Sequence, residues 1–368
     1  MSINLKSLLK NISQEDPCGI DLRKNDYYRD DYYEVKDARN KARTIERKQL
    51  SGETDADSMS YWKMVSTKGI YLIKEQTKDL EIACWLTEAW LRQDGFYGLA
   101  KGFELIYFLL KNFPDDIYPL PDEDGLESRF AALIGLNGID NQGSLIQPIQ
   151  NQLIVNSENL GSYAMWQYQQ AIAINKIQDQ KIINQKLEAG FIDINVIKKA
   201  AKETPKNFYD LLQKQLKLVL EKFEQLQDYL VARYHHNAPP SSHIKNALTL
   251  FNDHLNFILH DLKDVDTKIS HVDVIKENES QKKSKDVEFK VQPYHQKLSK
   301  MSRESSLKDL AAIANFFRIT EPHSPISYGI DNIINWGQMS LPELMQLLIS
   351  DDVAKNNFLK LIGLKDMK

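Results

Sequence analysis

Cysteine is almost missing from this sequence: of 368 residues only Cys18 and Cys84 carry thiols, far apart and in no C-x-x-C pattern. That scarcity argues against a disulfide framework or a thiolate zinc site and fits a reducing, cytoplasmic setting. Long apolar runs are lacking too. No stretch reaches the roughly 18 apolar residues of a membrane span, and residues 1–11 alternate apolar and polar side chains instead of forming the continuous core of an export signal. Nor is there an excess of positive charge: the net charge is −4, which offers no general attraction to nucleic acid or an anionic bilayer. The expectation is a chain with no nucleic-acid partner and no direct membrane insertion.

Catalytic signatures are equally scarce. Glu321-Pro322-His323-Ser324 sets a histidine beside a serine, but a triad needs three groups converging in space, and no G-x-S-x-G elbow occurs. Ser324 reads instead as the cap of a following helix. His235, His236, His243, His254 and His260 form no H-x-x-x-H or H-E-x-x-H pair, so loop and surface positions are expected for them. Gly95, Gly98 and Gly102 do not fit G-x-G-x-x-G and follow a helical pattern, which indicates a helix–helix corner and not a dinucleotide site. Lys282, Lys283 and Lys285 lie among acidic neighbours without interleaved aromatics, as in a solvated connection. No catalytic, cofactor-binding or metal-ligating residue is expected. The competing class is an enzyme whose active site has no local signature.

What is present is helical periodicity in a globular composition, 42% apolar and 27% charged, over a length that implies two or three domains. Leu5, Leu8, Leu9 and Ile12 open the chain and lead into a turn at Asp16-Pro17-Cys18-Gly19. Residues 32–57, rich in charge, read as a solvated helix running into a loop. Apolar residues three and four apart mark helices around Trp62–Ile73 and Leu80–Trp90, with a further one over Leu99–Leu110. Pro114, Pro119 and Pro121 end that pattern, and helix resumes near Glu127. A polar interval over 151–161 suggests a boundary, followed by helices over 163–174 and 192–201. Thr204-Pro205 looks like a helix start, hydroxyl cap then proline. The clearest pattern follows: Leu212, Leu216, Val219, Phe223, Leu226 and Leu230 are spaced 4-3-4-3-4, and the same spacing returns at Ile244, Leu248, Phe251, Leu255, Ile258 and Leu262. These two long helices should fold back as an antiparallel hairpin that needs further packing partners. After a charged connection come Leu307, Leu310, Ile313, Ala314 and Phe317 on one helix, a second reaching Trp336-Gly337, and a third opened by the capping-box pair Ser340 and Glu343. A block this small gains from oligomerisation.

The fold class expected is therefore all-α and multi-domain: a helical N-terminal domain over 1–150, a middle region with the hairpin over 151–263, a charged linker over 264–297 and a small helical C-terminal oligomerisation domain over 298–368.

Two stretches resemble a known family. Asp16-Pro17-Cys18-Gly19-Ile20-Asp21-Leu22, Tyr61-Trp62, the run Thr77-Lys78-Asp79-Leu80-Glu81-Ile82-Ala83-Cys84-Trp85-Leu86-Thr87-Glu88-Ala89 and Ile117-Tyr118-Pro119-Leu120-Pro121 resemble the ImpA-type N-terminal domain of the TssA proteins of bacterial type VI secretion. Near the C-terminus, Phe316-Phe317-Arg318-Ile319-Thr320-Glu321-Pro322-His323-Ser324-Pro325-Ile326-Ser327-Tyr328 and Trp336-Gly337-Gln338-Met339-Ser340-Leu341-Pro342-Glu343-Leu344 resemble the C-terminal motif of one branch of that family. The chain departs from the family pattern at Asn112-Phe113-Pro114-Asp115-Asp116, where a Tyr-Trp-Asp run is common, and at Ile319, where Arg or Lys is more usual.

The resemblance implies a non-enzymatic, cytoplasmic assembly scaffold without cofactor, recruited to the inner-membrane-associated secretion complex. Its partners would be itself, as a ring-like homo-oligomer, and baseplate, tube and sheath proteins, with a role in priming sheath and tube assembly or, alternatively, in capping the distal end of the growing sheath. The oligomerisation and interaction candidates are Phe317, Arg318, Glu321, Pro322, His323, Ser324, Pro325, Tyr328, Trp336, Met339, Leu341 and Leu344. The N-terminal motif comprises Pro17, Cys18, Gly19, Asp21, Leu22, Asp79, Leu80, Trp85, Leu86 and Glu88.

Overall fold

The computed structural model describes residues 4–50, 52–54, 56–123, 125–272, 303–320 and 326–339. The chain divides into two compact units, Met1–Asn278 and Glu279–Lys368. Among the described residues helix dominates both, as the periodicity predicts.

The first unit opens with a single turn, α1 (Leu5–Leu8), then α2 (Arg29–Leu50), whose Asp30 and Asp31 in the first turn and Arg47 and Lys48 in the last match the sign of the helix dipole. The helix is as expected; its solvation is not. Tyr32, Val35, Ala38 and Ala42, three and four apart, form a buried seam, and α2 packs on α3 (Met59–Glu75). The seam is built partly from alanine among many charges, so composition hid it.

The centre of the unit is α4 (Leu80–Asn112), capped by Asp79, whose carboxylate accepts from the amides of Glu81 and Ile82. It breaks at Gly95 (φ 59°, ψ −142°), and its halves fold tightly against each other. A Cβ on Gly98 would lie 2.0 Å from the Trp90 carbonyl oxygen, and one on Gly102 would lie 2.5 Å from Thr87. The helix–helix corner expected from the three glycines is thus present, and bare backbone is what lets the halves meet. The proline segment ends α4 as expected, with a cis Tyr118–Pro119 bond, and α5 (Leu126–Asn137) and α6 (Ile146–Gln150) follow.

The polar interval over 151–161 is not a structureless boundary. It contains β1 (Leu153–Ser157), paired antiparallel with β2 (Gly161–Ala164) in the register Asn156 to Ser162. The short run Leu153-Ile154-Val155 suits a strand, and Ile154 and Val155 are fully buried, but polar residues on both sides masked the signal. Helices α7 (Met165–Asn175) and α9 (Ile194–Glu203) are those anticipated, whereas α8 (Gln180–Glu188), which buries none of its residues, was not legible.

Helix α10 (Lys206–Tyr234) begins after Thr204-Pro205, but Thr204 does not cap it. Its hydroxyl donates to the Ala200 carbonyl of α9 and accepts from the Asn156 amide of β1, so it closes the preceding helix and ties it to the strand pair. A turn at His235–Asn237 leads through Pro239 and Pro240 to α11 (Ser242–Val272). Every seam residue of α10 from Leu212 to Leu230 is buried, as are those of α11 from Ile244 to Ile258. The partners that the hairpin needs lie within the same unit. The most extensive neighbour of α10 is α4, with Phe223 on Phe103 at 5.1 Å between ring centroids, while α11 packs on α5, α6 and α9 and sets Phe251 on Phe96. Each such aromatic contributes about 1.5–3 kcal/mol by burial. α11 also runs past 263 into the stretch read as linker, since no glycine or proline interrupts the chain between Pro240 and Pro293.

In the second unit, α12 (Arg303–Thr320) packs on α13 (Ile326–Gln338), with Ala314 buried and Arg318 bridging to Asp331 at 2.5 Å. The helix expected after Ser340 lies outside the described residues.

Candidate functional site

The stretches 16–22, 77–81 and 117–121 are scattered over more than a hundred residues, yet the fold gathers them into one knot beside the start of α4. The turn 16–19 lies against the end of α3: Gly19 pairs with Thr77, the Ile20 amide donates to the Gln76 carbonyl, and the Lys78 amide donates to the Cys18 carbonyl at 2.7 Å. On the other side, the Tyr118 amide donates to the Lys78 carbonyl and the Leu80 amide to that of Tyr118. Tyr118 then reaches across to donate its hydroxyl to the Gly19 carbonyl at 3.1 Å. Three segments thus share one short ladder. Gly19 is required in it, since φ is +69° and a Cβ would sit 2.2 Å from the Gln76 carbonyl oxygen.

Charged side chains lock the knot. Arg23 bridges to Asp79 at 2.5 Å, to Asp21 at 3.0 Å and to Glu81 at 3.1 Å, and Tyr32 donates to Glu81 at 2.7 Å. Burial pushes the Asp79 carboxyl up to about 6, while Arg23 and the Ile82 amide act in the opposite sense. Lys78 is fully buried and donates to the carbonyls of Leu8 at 3.0 Å and Ile73 at 2.6 Å, joining α1 to the end of α3; burial lowers it to about 8. Arg129 of α5 clasps the proline segment from below through the carbonyls of Pro114, Asp115 and Pro119.

A second network lies further along α4. Glu88, fully buried, pairs with Arg39 of α2, and Arg92 pairs with Glu46, which also accepts from the Trp62 indole at 2.6 Å. Arg92 lies over the Trp62 ring, 4.1 Å from its centroid. Burial alone would raise the Glu88 carboxyl, but Arg39 and Arg92 outweigh it and hold it below the ordinary carboxylate range.

Of the N-terminal motif residues, Cys18, Leu22, Asp79, Leu80, Trp85, Leu86 and Glu88 are buried, Pro17 and Asp21 partly so. Burial pushes the Cys18 thiol up to about 11 and raises that of Cys84 too. Trp85 packs on Tyr32 in the core, in line with its helical spacing. Arg23, Arg39, Arg92 and Arg129 hold the arrangement together but were not singled out from the sequence. The available signal was a charged residue on the face of an otherwise apolar helix, as Glu88 is in α4.

The C-terminal candidates divide differently. Phe317 and Arg318 lie on α12, and Tyr328 and Trp336 on α13, with Met339 directly after it; Tyr328 is 63% exposed, Trp336 37% and Met339 38%. Glu321, Pro322, His323, Ser324, Pro325, Leu341 and Leu344 lie outside the described residues. Among the described residues no cluster of three or more His, Cys, Asp or Glu is placed to hold a metal ion, and no helix is long and apolar enough to cross a membrane.

Residues 9–138 match the family model described as ImpA, N-terminal, type VI secretion system. No curated protein matches the chain. Among solved structures, the chain is similar to the N-terminal domain, including the conserved ImpA_N region, of the TssA component of the type VI secretion system from Burkholderia cenocepacia. That similarity is 24% in identity with a TM-score of 0.60, over 71% of this chain and 96% of that one. The matched residues run from Pro17 to Arg129 of the knot and beyond, so the resemblance read from the motif holds: residues 9–138 match the ImpA N-terminal family model, and the chain shares the fold of a TssA N-terminal domain.

Proposed function

We propose that this chain is a non-enzymatic assembly scaffold of the type VI secretion system, acting in the cytoplasm as a ring-like homo-oligomer that binds baseplate, tube and sheath proteins and primes their assembly. The observation that carries the reading is the match of residues 9–138 to the ImpA N-terminal family. Chemistry supports it: the charged groups around the motif are spent on one another and on backbone carbonyls, which makes a rigid body of the kind that presents a surface.

In this reading residues 298–368 assemble the ring, the stretch after α11 up to 297 connects, and the unit built on the N-terminal motif is displayed in many copies, so that weak single contacts gain avidity through effective concentration. Tyr328, Trp336 and Met339 supply exposed apolar side chains for subunit contacts. Light scattering coupled to size exclusion tests this on the full chain and on residues 1–296. A large discrete oligomer that falls to a monomer on truncation is expected, with Trp336→Ala and Leu344→Asp lowering the mass of the full chain. A monomer in both forms would overturn the ring.

A further inference from the structure

Away from the motif knot, α9 and α11 enclose a groove of about 470 Å³. Its floor is apolar, made by Ile197 and Ala201 of α9, Ile258 and Leu262 of α11, and the ring of Tyr168 from α7. That volume is within the range of roughly 300–1,000 Å³ typical of ligand pockets. The rim is charged and one-sided. Among the described residues, Lys198, Lys199 and Lys202 line it from α9, all three exposed and none engaged in an ion pair, and face a single carboxylate, Asp261, from α11. Three unpaired ammonium groups on two turns of one helix repel one another, at a cost that an anionic partner would remove.

We infer that this groove is a docking site for an acidic amphipathic segment of a partner protein, which inserts apolar side chains between α9 and α11 and sets its carboxylates against Lys198, Lys199 and Lys202. The apolar floor favours a peptide over a nucleic acid, whose backbone would use the lysines and leave the floor empty. The lysines give the site its charge preference and the floor its affinity.

The test is calorimetric titration of the full-length chain with an amphipathic helical peptide bearing Leu on one face and Glu on the other. Two controls accompany it, a twin with Lys in place of Glu and a Glu peptide lacking apolar residues. The acidic amphipathic peptide is expected to bind at least about tenfold more tightly than either control, with affinity falling as salt rises. Lys198→Glu/Lys199→Glu/Lys202→Glu, confined to exposed positions, should remove that preference, and Ala201→Leu should fill the groove and weaken binding with the helical circular dichroism unchanged. Equal binding of the acidic and basic peptides, no binding of either, or binding unaffected by the lysine reversal would overturn the inference. So would a preference for single-stranded RNA or anionic vesicles over the peptide.

Discussion

At the scale of single residues, the fold depends on charges placed where water does not reach. Glu88 has no exposed surface and Arg39 little, so removing one partner leaves the other unpaired in a low-dielectric setting. Glu88→Gln is expected to cost about 3 kcal/mol at neutral pH, read by urea unfolding. The pH dependence has a definite sign: the folded-state carboxyl sits below its ordinary value of 4.5, so its contribution is present above that value and is lost as pH falls through the folded one. The gap between wild type and variant should therefore close in acid. Asp79 acts in the reverse sense, because its folded value near 6 lies above the ordinary 3.8 and its protonation favours the folded state as pH falls through that window. Lys78→Met would strand the Leu8 and Ile73 carbonyls. We expect a loss of about 2 kcal/mol and faster amide exchange over α1.

At the scale of elements, the two halves of α4 show how little a sequence says about distance. Gly95, Gly98 and Gly102 mark a corner by their spacing, but only the structure shows that Gly98 faces backbone and Gly102 a side chain. Gly98→Ala should destabilise strongly, by about 3 kcal/mol or more, since a carbonyl cannot move aside without disturbing the helix. Gly135→Ala on α5 meets open space and should stabilise by about 0.5–1 kcal/mol. Thermal unfolding of both variants checks the contrast. The same distinction explains the misread elements. α2 hides a seam made partly of alanine, β1 is too short to show a period, and Thr204 carries a cap-forming side chain whose direction depends on β1 lying nearby.

At the scale of the whole molecule, the unit Met1–Asn278 has its own continuous core, joining the N-terminal helices to α10 and α11. Residues 1–278 expressed alone should therefore unfold in one cooperative transition, matching the main transition of the full chain by calorimetry. Two separate transitions within that fragment would show that the long helices are not integral to it.

The sequence by itself determined the helical class, the long helices and their apolar seams, the corner in α4 and the family motif, because periodicity and glycine spacing act locally along the chain. Only the tertiary structure decided what the motif is for. Residues 16–22, 77–81 and 117–121 become a single ladder through pairings across the fold, and which arginine meets which carboxylate depends on helices packed from far apart in sequence. The groove between α9 and α11 is of the same kind: its lysines are visible in the sequence, but the apolar floor beneath them exists only once the two helices meet.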